Sequence, residues 1–453
     1  MKTMGLGAAT LLALPVIAAL LACGDGGAND HQQAPGDRPG GVRVGLGDIA
    51  VAPGGDYVLF RRDETLAAGF IETGRVEPLP VHTPSRLAFS KQRDVVYVGD
   101  ASAQEIVAVD VRSRAVLWQS AVADTTTRGL RLESTPDDRF VLAANAFEVT
   151  IIDALTGRAL GRHLLERGLV DLEILPDSRR ALVVENHEFD GATPRARVTI
   201  LDLEVGTSSG FWIPNCADDV VVSFDGRRAF LAPTTCQRDP VSVIDLTPAH
   251  ERFELNLPGF GPVARAPGGT TLVAFYDRTA ADAALFADPA RMPGPSSDRY
   301  HLMLIDSGTL AYDFAEVGGD LPRYAVTPDG NVLLVDSSWF LKDPLRLFDV
   351  ATRRFRSLSG PAVTLDQFVL SSDSLHAYAL KLDVFDIDIR AGRVARVNPG
   401  FTPKRLNISA DDRFLFLRKD DSEVCIFELA SRTCKNRFAG AIAEAPAAAS
   451  PAQ

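Results

Sequence analysis

Two short sequence marks recur nine times between residues 48 and 440, and together they restrict the chain to a repeat architecture. The first mark is a turn of Pro, Asp, Gly or Ser residues, such as 136–138 (PDD), where Pro fixes φ and Asp bonds its own backbone. The second is an apolar pair followed by an acid, as in Ile151, Ile152 and Asp153. Nine units over this length average about 44 residues each, the size of a four-stranded propeller blade.

The unit at 128–165 has the content expected of one blade. Alternating apolar residues, among them Leu130, Leu132 and Val141, predict short half-buried strands joined by tight turns. Such a small sheet cannot bury both of its faces alone, so copies of the unit must pack against it. The nine units span approximately 46–81, 85–122, 128–165, 169–214, 217–258, 261–318, 321–360, 362–400 and 402–440.

We therefore predict an all-β fold, a β-propeller of nine four-stranded blades over residues 46–440. Because common propellers have four to eight blades, an eight-bladed ring with one unit displaced or merged is the alternative. Seven blades would need about 56 residues each, which both marks contradict. Hydrophobic residues make up 46% of the chain, enough for a core of this extent.

The units resemble the YVTN family of β-propeller repeats. The resemblance rests on residues 90–98 (SKQRDVVYV), on 135–143, and on 223–231 followed by 241–246 (VSVIDL). It covers nearly all of the folded part, although the Tyr-Val pair is kept in few units. The family implies a propeller and no single activity, so function has to be argued from particular residues.

The N-terminus has the pattern of an exported protein. Lys2 precedes an apolar run, 11–21, that is too short for a comfortable membrane span. Residues 20–23 (LLAC) resemble the lipobox of bacterial lipoproteins, in which the cysteine, here Cys23, becomes the lipidated first residue. We therefore expect a signal peptide over residues 1–22 and a lipid-anchored mature chain. The alternative is an ordinary secretory signal with a chance cysteine.

Both ends of the expected mature chain contain few large hydrophobic residues that could form a core. Residues 23–45 start with the lipidated Cys23 and are rich in Gly, Pro and Asp, which predicts a flexible tether. Residues 441–453 (AIAEAPAAASPAQ) predict a disordered tail. Gly24 is not the Asp that in some bacteria marks inner-membrane retention, and this favours the outer membrane. We therefore expect a cell-envelope protein on the periplasmic or surface face.

Net charge and histidine spacing argue against several classes of function, and the number of cysteines predicts disulfides. A net charge of −12 without a basic stripe argues against nucleic-acid binding. The seven His residues lack paired metal-ligand spacing, and no GxSxG or Gly-rich phosphate loop occurs, so we expect neither metal nor cofactor. Four cysteines remain after Cys23. We expect Cys216 to pair with Cys236 and Cys425 with Cys434, each within one unit, although the other two pairings stay open.

The loops between second and third strands lengthen in four consecutive units, at 187–197, 234–240, 278–300 and 337–344. In a propeller these loops lie on one face, so the insertions should cluster on one arc of that face. Their large apolar and aromatic residues are typical of a recognition surface. The candidate partner contacts are His187, Phe189, Phe286, Tyr300, Trp339 and Phe340. The alternative is that these loops fold back over the propeller's own core.

A second candidate site lies at the start of the innermost strands. Aligned by their turns, the units place Arg86, Arg131, Arg323 and Arg405 there, together with the acids Asp48, Asp171 and Asp219. These residues should ring the mouth of the central channel on the same face as the insertions. They form either mutual ion pairs that close the channel or a site where Arg forks bind a carboxylate or phosphate.

These features favour a binding role over catalysis. We predict a lipid-anchored monomer whose propeller is a rigid platform for another envelope protein, a peptide or a glycan. The catalytic alternative is a hydrolase acting at the channel mouth, since sugar-lactone hydrolases have similar propeller folds; its inward acids would be Glu133 and Glu173. A third interpretation, a structural part of an envelope assembly machine, differs from the first only in its partner.

Overall fold

The computed structural model describes residues 49–62, 64–122, 130–191, 193–233, 240–247, 252–265, 270–277, 300–317, 323–336, 345–363, 367–420 and 423–438. Within these ranges the chain forms nine antiparallel sheets of four strands each, one of them with an additional short strand. No helix long and apolar enough to cross a membrane is present among the described residues.

The first five blades follow the predicted units closely. Blade 1 contains β1 (Ala50–Val51), β2 (Tyr57–Arg62), β3 (Thr65–Phe70) and β4 (Val76–Pro78). Blade 2 contains β5 (Pro84–Phe89), β6 (Val95–Asp100), β7 (Glu105–Asp110) and β8 (Val116–Ala121). Blade 3 contains β9 (Arg131–Ser134), β10 (Phe140–Ala144), β11 (Glu148–Asp153) and β12 (Ala159–Leu164). Blade 4 contains β13 (Leu169–Ile174), β14 (Arg180–Glu185), the additional β15 (Glu188–Asp190), β16 (Thr193–Asp202) and β17 (Ser208–Ile213). Blade 5 contains β18 (Asp219–Val222), β19 (Arg228–Ala232), β20 (Val241–Asp245) and β21 (Arg252–Leu257).

The remaining four blades repeat the same order. Blade 6 contains β22 (Phe260–Arg265), β23 (Thr271–Asp277), β24 (Tyr300–Asp306) and β25 (Tyr312–Glu316). Blade 7 contains β26 (Arg323–Val326), β27 (Val332–Asp336), β28 (Leu345–Asp349) and β29 (Arg354–Ser357). Blade 8 contains β30 (Gln367–Leu370), β31 (His376–Leu380), β32 (Val384–Asp388) and β33 (Arg393–Val397). Blade 9 contains β34 (Arg405–Ile408), β35 (Phe414–Asp420), β36 (Glu423–Glu428) and β37 (Thr433–Phe438).

Every sequence unit forms its own sheet, so the all-β fold and the nine blades are confirmed and the eight-bladed alternative is wrong. The first strands of neighbouring blades contact each other, as β5 does with β9 and β30 with β34. This contact places the first strand of each blade nearest the central axis and the fourth strand at the rim.

Each pair of neighbouring blades shares one cluster of buried apolar side chains. A single strand supplies two clusters: in β10, Phe140, Leu142 and Ala144 pack toward blade 4, whereas Val141 and Ala143 pack toward blade 2. Clusters of this kind fill all nine junctions of the ring. Both faces of every blade are therefore buried, which explains why one unit could not fold alone.

The ring closes where blade 9 meets blade 1. All four strands of blade 9 come from the C-terminal end of the described chain, so no strand is shared across this seam. Val58 and Phe60 of β2 pack there against Phe416 of β35. Asn407 Nδ2 also donates to Ile49 O at 2.9 Å. Side-chain packing and this bond thus join the two ends of the ring.

The turns inside each blade alternate between two faces. The lower face holds the connections between first and second strands and between third and fourth strands; the upper face holds the others. In five of the first turns a Ser or Thr hydroxyl donates to an Asp two residues later, at 2.6–2.7 Å: Thr135 to Asp137, Ser223 to Asp225, Thr327 to Asp329, Ser371 to Asp373 and Ser409 to Asp411. The acid that ends the third strand caps the next turn, as Asp153 does for Thr156 N at 2.8 Å. Both sequence marks are thus turn-forming residues of the lower face.

Four residues of the lower face, here called latch residues, have positive φ and reach back to the preceding blade: Asp138 (59°), Ser178 (58°), Ser374 (63°) and Asp412 (56°). Asp138 accepts hydrogen bonds from Lys91 N (2.7 Å) and Gln92 N (3.0 Å) of blade 2. Ser374 Oγ accepts one from Asp329 N of blade 7 at 2.9 Å. These bonds offset the cost of the left-handed backbone and link the turns of successive blades.

The disulfide predicted between Cys425 and Cys434 in the last blade is confirmed. Cys425 and Cys434 form a disulfide between β36 and β37, with their Cα atoms 5.7 Å apart. Cys216 is buried and disulfide-bonded, and Cys236 lies outside the described residues. Disulfides of this kind are typical of proteins folded in an oxidising compartment.

Candidate functional site

The lengthened loop of blade 4 is an ordered hairpin on the upper face. β16 has ten residues and pairs with β14 only from Val198 onward, while its first three residues pair with β15. Gly191, with φ of 66°, permits the tight turn between the two strands. The insertion predicted at 187–197 therefore contains a short β-hairpin that extends the blade.

Ion pairs tie this hairpin together and to its neighbour. Arg195 Nε donates to Glu188 Oε1 at 2.8 Å, and its Nη1 donates to Asp190 Oδ2 at 3.1 Å. Arg167, in the connection between blades 3 and 4, pairs with the other oxygen of Glu188. The hydrogen bond from Arg195 and the charge of Arg167 lower the pKa of Glu188 against the opposing effect of desolvation. Glu188 therefore stays ionised and connects the hairpin to that connection.

An aromatic ring supports the hairpin from the rim side. The guanidinium carbon of Arg195 lies 4.7 Å from the ring centroid of Trp212 on β17, and that of Arg197 lies 6.0 Å from it. Arg197 Nη1 also pairs with Glu166 Oε2 at 2.6 Å. The base of the hairpin is consequently held by Trp212 of β17 and by Glu166 in the connection between blades 3 and 4.

Three large apolar side chains on the upper face of blades 3 and 4 are mostly exposed: Phe147 by 63%, Leu164 by 72% and Phe189 by 64%. We call these three residues the hairpin patch. Leu165 N donates to Phe147 O at 2.8 Å, so the first two members lie on adjoining segments of blade 3. Phe189 packs edge-on against His187, with ring centroids 5.4 Å apart. The patch presents apolar surface on a frame fixed by hydrogen bonds and ion pairs.

At the channel mouth, the acids of blades 4 and 5 join neighbouring blades. Asp171 pairs with Arg131 of blade 3 and also accepts a hydrogen bond from Val220 N of blade 5 at 3.0 Å. Asp219 accepts one from Val263 N of blade 6 at 3.0 Å. On this arc, Arg131 and Asp171 form one of the predicted mutual ion pairs. Binding of a carboxylate or phosphate at the mouth stays a prediction.

The other predicted arginines of the mouth lie on blades 2, 7 and 9. Gln367, with its amide oriented to satisfy both atoms, accepts from Arg405 Nη1 at 3.1 Å and donates to Lys404 O at 3.3 Å. Arg86 is half-buried in β5. Arg323 starts β26 on blade 7. A ligand-binding role for these arginines stays a prediction.

Glu133 and Glu173, the inward acids of the hydrolase alternative, are 4% and 3% exposed. Among the described residues, no group of three or more His, Cys, Asp or Glu side chains is placed to hold a metal ion. Both glutamates lie on first strands, β9 and β13, whose neighbouring residues join the blades at the axis.

Several predicted contacts fall outside what the structure describes. Phe286, Trp339 and Phe340 lie outside the described residues, and of Tyr300 only its place at the start of β24 is described. Cys23 also lies outside them. These residues therefore stay predictions.

Two members of the hairpin patch were missed by sequence reasoning. Phe147 and Leu164 belong to blade 3, whose loop between second and third strands is short, so loop length gave no signal there. A usable signal was present: Phe147 is a large apolar residue inside a turn that Asn145 forms, since Asn145 Oδ1 accepts from Phe147 N at 2.9 Å. An apolar side chain in such a turn faces solvent unless a partner covers it.

Known proteins share the fold at low sequence identity. A eukaryotic initiation factor is 15% identical, with a TM-score of 0.53 over 74% of this chain and 83% of that one. Dihydro-heme d1 dehydrogenase NirN in complex with DHE is 13% identical, with a TM-score of 0.50 over 76% and 73%. Hydrazine synthase of Kuenenia stuttgartiensis is 14% identical, with a TM-score of 0.41 over 90% and 99%. For the initiation factor and NirN, the likeness at these identities shows the fold alone.

No protein-family model matches the sequence, and no curated protein matches it significantly. The function therefore has to be argued from the residues of the upper face.

Proposed function

We propose that this protein is an exported lipoprotein whose propeller binds a protein or peptide partner through the upper face of blades 3 and 4. The observation that carries the proposal is the hairpin patch, in which Phe147, Leu164 and Phe189 are each more than 60% exposed on adjacent blades. Grouped exposed apolar residues are typical of interaction sites, whereas single ones are common on any surface.

The frame around the patch supports this function. Arg195, Glu188 and Arg167 hold the hairpin in one geometry before a partner arrives, so binding would cost little ordering entropy. Covering one large apolar side chain completely contributes roughly 1.5–3 kcal/mol. Three such side chains are therefore enough to anchor a moderate-affinity complex, with the surrounding charges as a polar rim.

Partner binding can be tested by crosslinking in intact cells followed by affinity recovery of the protein. We expect the double substitution Phe147→Ala and Phe189→Ala to reduce partner recovery about tenfold or more, which corresponds to about 1.4 kcal/mol. Phe224→Ala is the matched control, because Phe224 is 61% exposed but lies in a lower-face turn of blade 5. Unchanged recovery with the double variant, or loss of recovery with Phe224→Ala alone, would contradict the proposed face.

The export part of the proposal rests on the lipobox and on the disulfide. We infer that residues 1–22 are removed, that Cys23 is lipidated, and that residues 23–45 tether the propeller to the outer membrane. The Cys425–Cys434 bond supports an oxidising compartment, and the repeat motifs support placement among YVTN-type propellers. Fatty-acid labelling should mark the wild type and not Cys23→Ser, which should leave the membrane fraction. An unlabelled wild type would refute lipidation.

A further inference from the structure

The hairpin of blade 4 ends in a strand that is paired on one side. β15 pairs with β16 along Glu188, Phe189 and Asp190. In the order of the described strands, β15 is the last of its row, so its other edge has no strand beside it. An edge of this kind is a template on which another chain can pair.

The hydrogen-bond alternation of the hairpin determines which backbone groups point to this edge. Asp190 pairs with Thr193 with two residues between them, and in hairpins of this length such a pair exchanges both backbone hydrogen bonds. The next pair, Phe189 with Pro194, is then of the non-hydrogen-bonded type, which suits proline because it has no N–H. The N–H and C=O groups of Phe189 therefore point away from β16, toward the open edge.

The connection between blades 3 and 4 brings Phe147 close to this edge. A Cβ on Gly168 of the connection would lie 3.6 Å from Phe147 Cε1. Gly168 O accepts from Asn186 N at 2.8 Å, two residues before β15 begins. Arg167 of the same connection pairs with Glu188 of β15. The connection therefore touches the turn that carries Phe147 on one side and the start of β15 on the other.

The charges of the hairpin indicate what an added strand should carry. The side chain of Glu188 is 16% exposed, and its two oxygens bind Arg195 and Arg167. The side chain of Asp190 is 72% exposed and accepts from Arg195 Nη1 at 3.1 Å. Asp190 is thus the acid of β15 that a partner can reach. Because opposite charges on facing residues stabilise paired strands, a lysine or arginine opposite Asp190 is favoured.

We propose that the partner segment bound at the hairpin patch is an extended peptide that adds to the open edge of β15 as an antiparallel strand. This inference rests on the proposed function and names the kind of partner. One peptide residue exchanges two backbone hydrogen bonds with Phe189, and its apolar side chain packs on the face of the Phe189 ring. Because the strands are antiparallel, the peptide residue just before it lies opposite Asp190 and is Lys or Arg. In such additions the main-chain bonds give affinity, and alternate side chains give specificity.

The first test selects random linear peptides of about 12 residues, displayed on phage, on the full mature chain. We expect the selected peptides to share a basic residue followed by apolar residues at every second position. Fluorescence anisotropy with the best peptide should show about tenfold or more weaker binding to the double variant Phe147→Ala and Phe189→Ala. Phe224→Ala is the control and should bind as the wild type does. Apolar residues spaced three or four apart, as in a helical ligand, or no peptide that discriminates the wild type from the double variant, would overturn the proposal.

Backbone substitutions test the strand pairing itself. Methylating the peptide amide of the apolar residue that follows the base removes the donor to Phe189 O and should weaken binding about tenfold or more. Methylating the next amide, which points away from β15, should have a much smaller effect. On the protein, Phe189→Pro and Phe189→Val leave side chains of similar size, but only Pro removes the N–H, and a strand edge tolerates it. Phe189→Pro should bind about fivefold or more weakly than Phe189→Val.

These measurements separate strand addition from the proposed function. Equal effects of the two methylations would overturn strand addition. If partner recovery from cells still depended on Phe147 and Phe189, the proposed face would stand. Because the methylation series uses the wild-type protein, it decides the question even where Phe189→Pro folds poorly.

Discussion

On the lower face the same turn chemistry repeats from blade to blade, whereas on the upper face each connection has its own length and composition. Lower turns are tied across blades by latch residues such as Asp138, and by arginines such as Arg180, whose Nη1 donates to Leu246 O of blade 5 at 2.7 Å. Contacts of the upper face differ between the described connections: the Arg195–Glu188 pair, for example, belongs to the hairpin of blade 4. The repeated hydrogen bonds between the turns of neighbouring blades thus belong to the lower face, whereas the connections of the upper face vary and can carry a binding site.

The strongest test of this comparison removes a latch. Asp138→Ala deletes the acceptor for Ser90 Oγ, Lys91 N and Gln92 N and leaves Ala in a left-handed conformation. We expect a loss of about 3–4 kcal/mol in the free energy of unfolding, measured by denaturant titration. Asp138→Asn, which keeps one acceptor oxygen, should lose less. A loss below about 1 kcal/mol with Asp138→Ala would show that the latches are not what holds the lower face.

A smaller effect on stability is expected from glycine substitutions in the lower-face turns between third and fourth strands. Gly157 and Gly206 occupy the same turn position in blades 3 and 4, with φ of 72° and 71°. A Cβ on Gly157 would lie 2.5 Å from Trp118 Cδ2, whereas one on Gly206 meets nothing within 4 Å. We expect about 1 kcal/mol of destabilisation for Gly206→Ala, from backbone strain alone, and about 2–3 kcal/mol for Gly157→Ala. Equal denaturation midpoints for both variants would contradict this difference.

We expect the lower-face turns to lose stability gradually as the pH falls and their aspartates become protonated. Backbone N–H groups of Thr309, Thr352 and Ala391 donate to Asp306, Asp349 and Asp388, respectively, and lower the pKa of each carboxylate. A lowered folded-state pKa contributes stability that is complete above the unfolded value of about 4 and is lost as pH falls below it.

The measurement is the denaturation midpoint of the protein between pH 6 and pH 3. The wild type should lose stability below about pH 4. The triple Asp→Asn variant at these three positions should start less stable and show a shallower decline. A slope identical to that of the wild type would mean that other groups dominate the acid response.

The smallest expected effect is on the upper face. Glu188→Gln weakens the ion pairs with Arg195 and Arg167, whose side chains are 39% and 48% exposed and therefore partly screened by water. We expect the denaturation midpoint to stay at its wild-type value, while partner recovery falls because the hairpin patch loses its fixed geometry. A large drop in stability would place the hairpin within the structural frame of the ring and would erase the contrast between the two faces.

The sequence by itself determined the ring and its blade number, because the residues that specify them act locally. Thr135 with Asp137 and Asp153 with Thr156 each form a turn within a few residues, and a local motif that recurs can be counted without knowing what packs against it. The bridge between Cys425 and Cys434 was predictable for the same reason, since both cysteines lie in one hairpin.

Only the tertiary structure decided how the upper face is used. Asp171 binds Arg131 and Val220 N on opposite neighbouring blades, so its role depends on which first strands flank it. Phe147 and Phe189 lie on the same face because blades 3 and 4 are neighbours in the ring. Charges and exposed apolar groups acquire their function from neighbours distant in the chain, and no local rule specifies those neighbours.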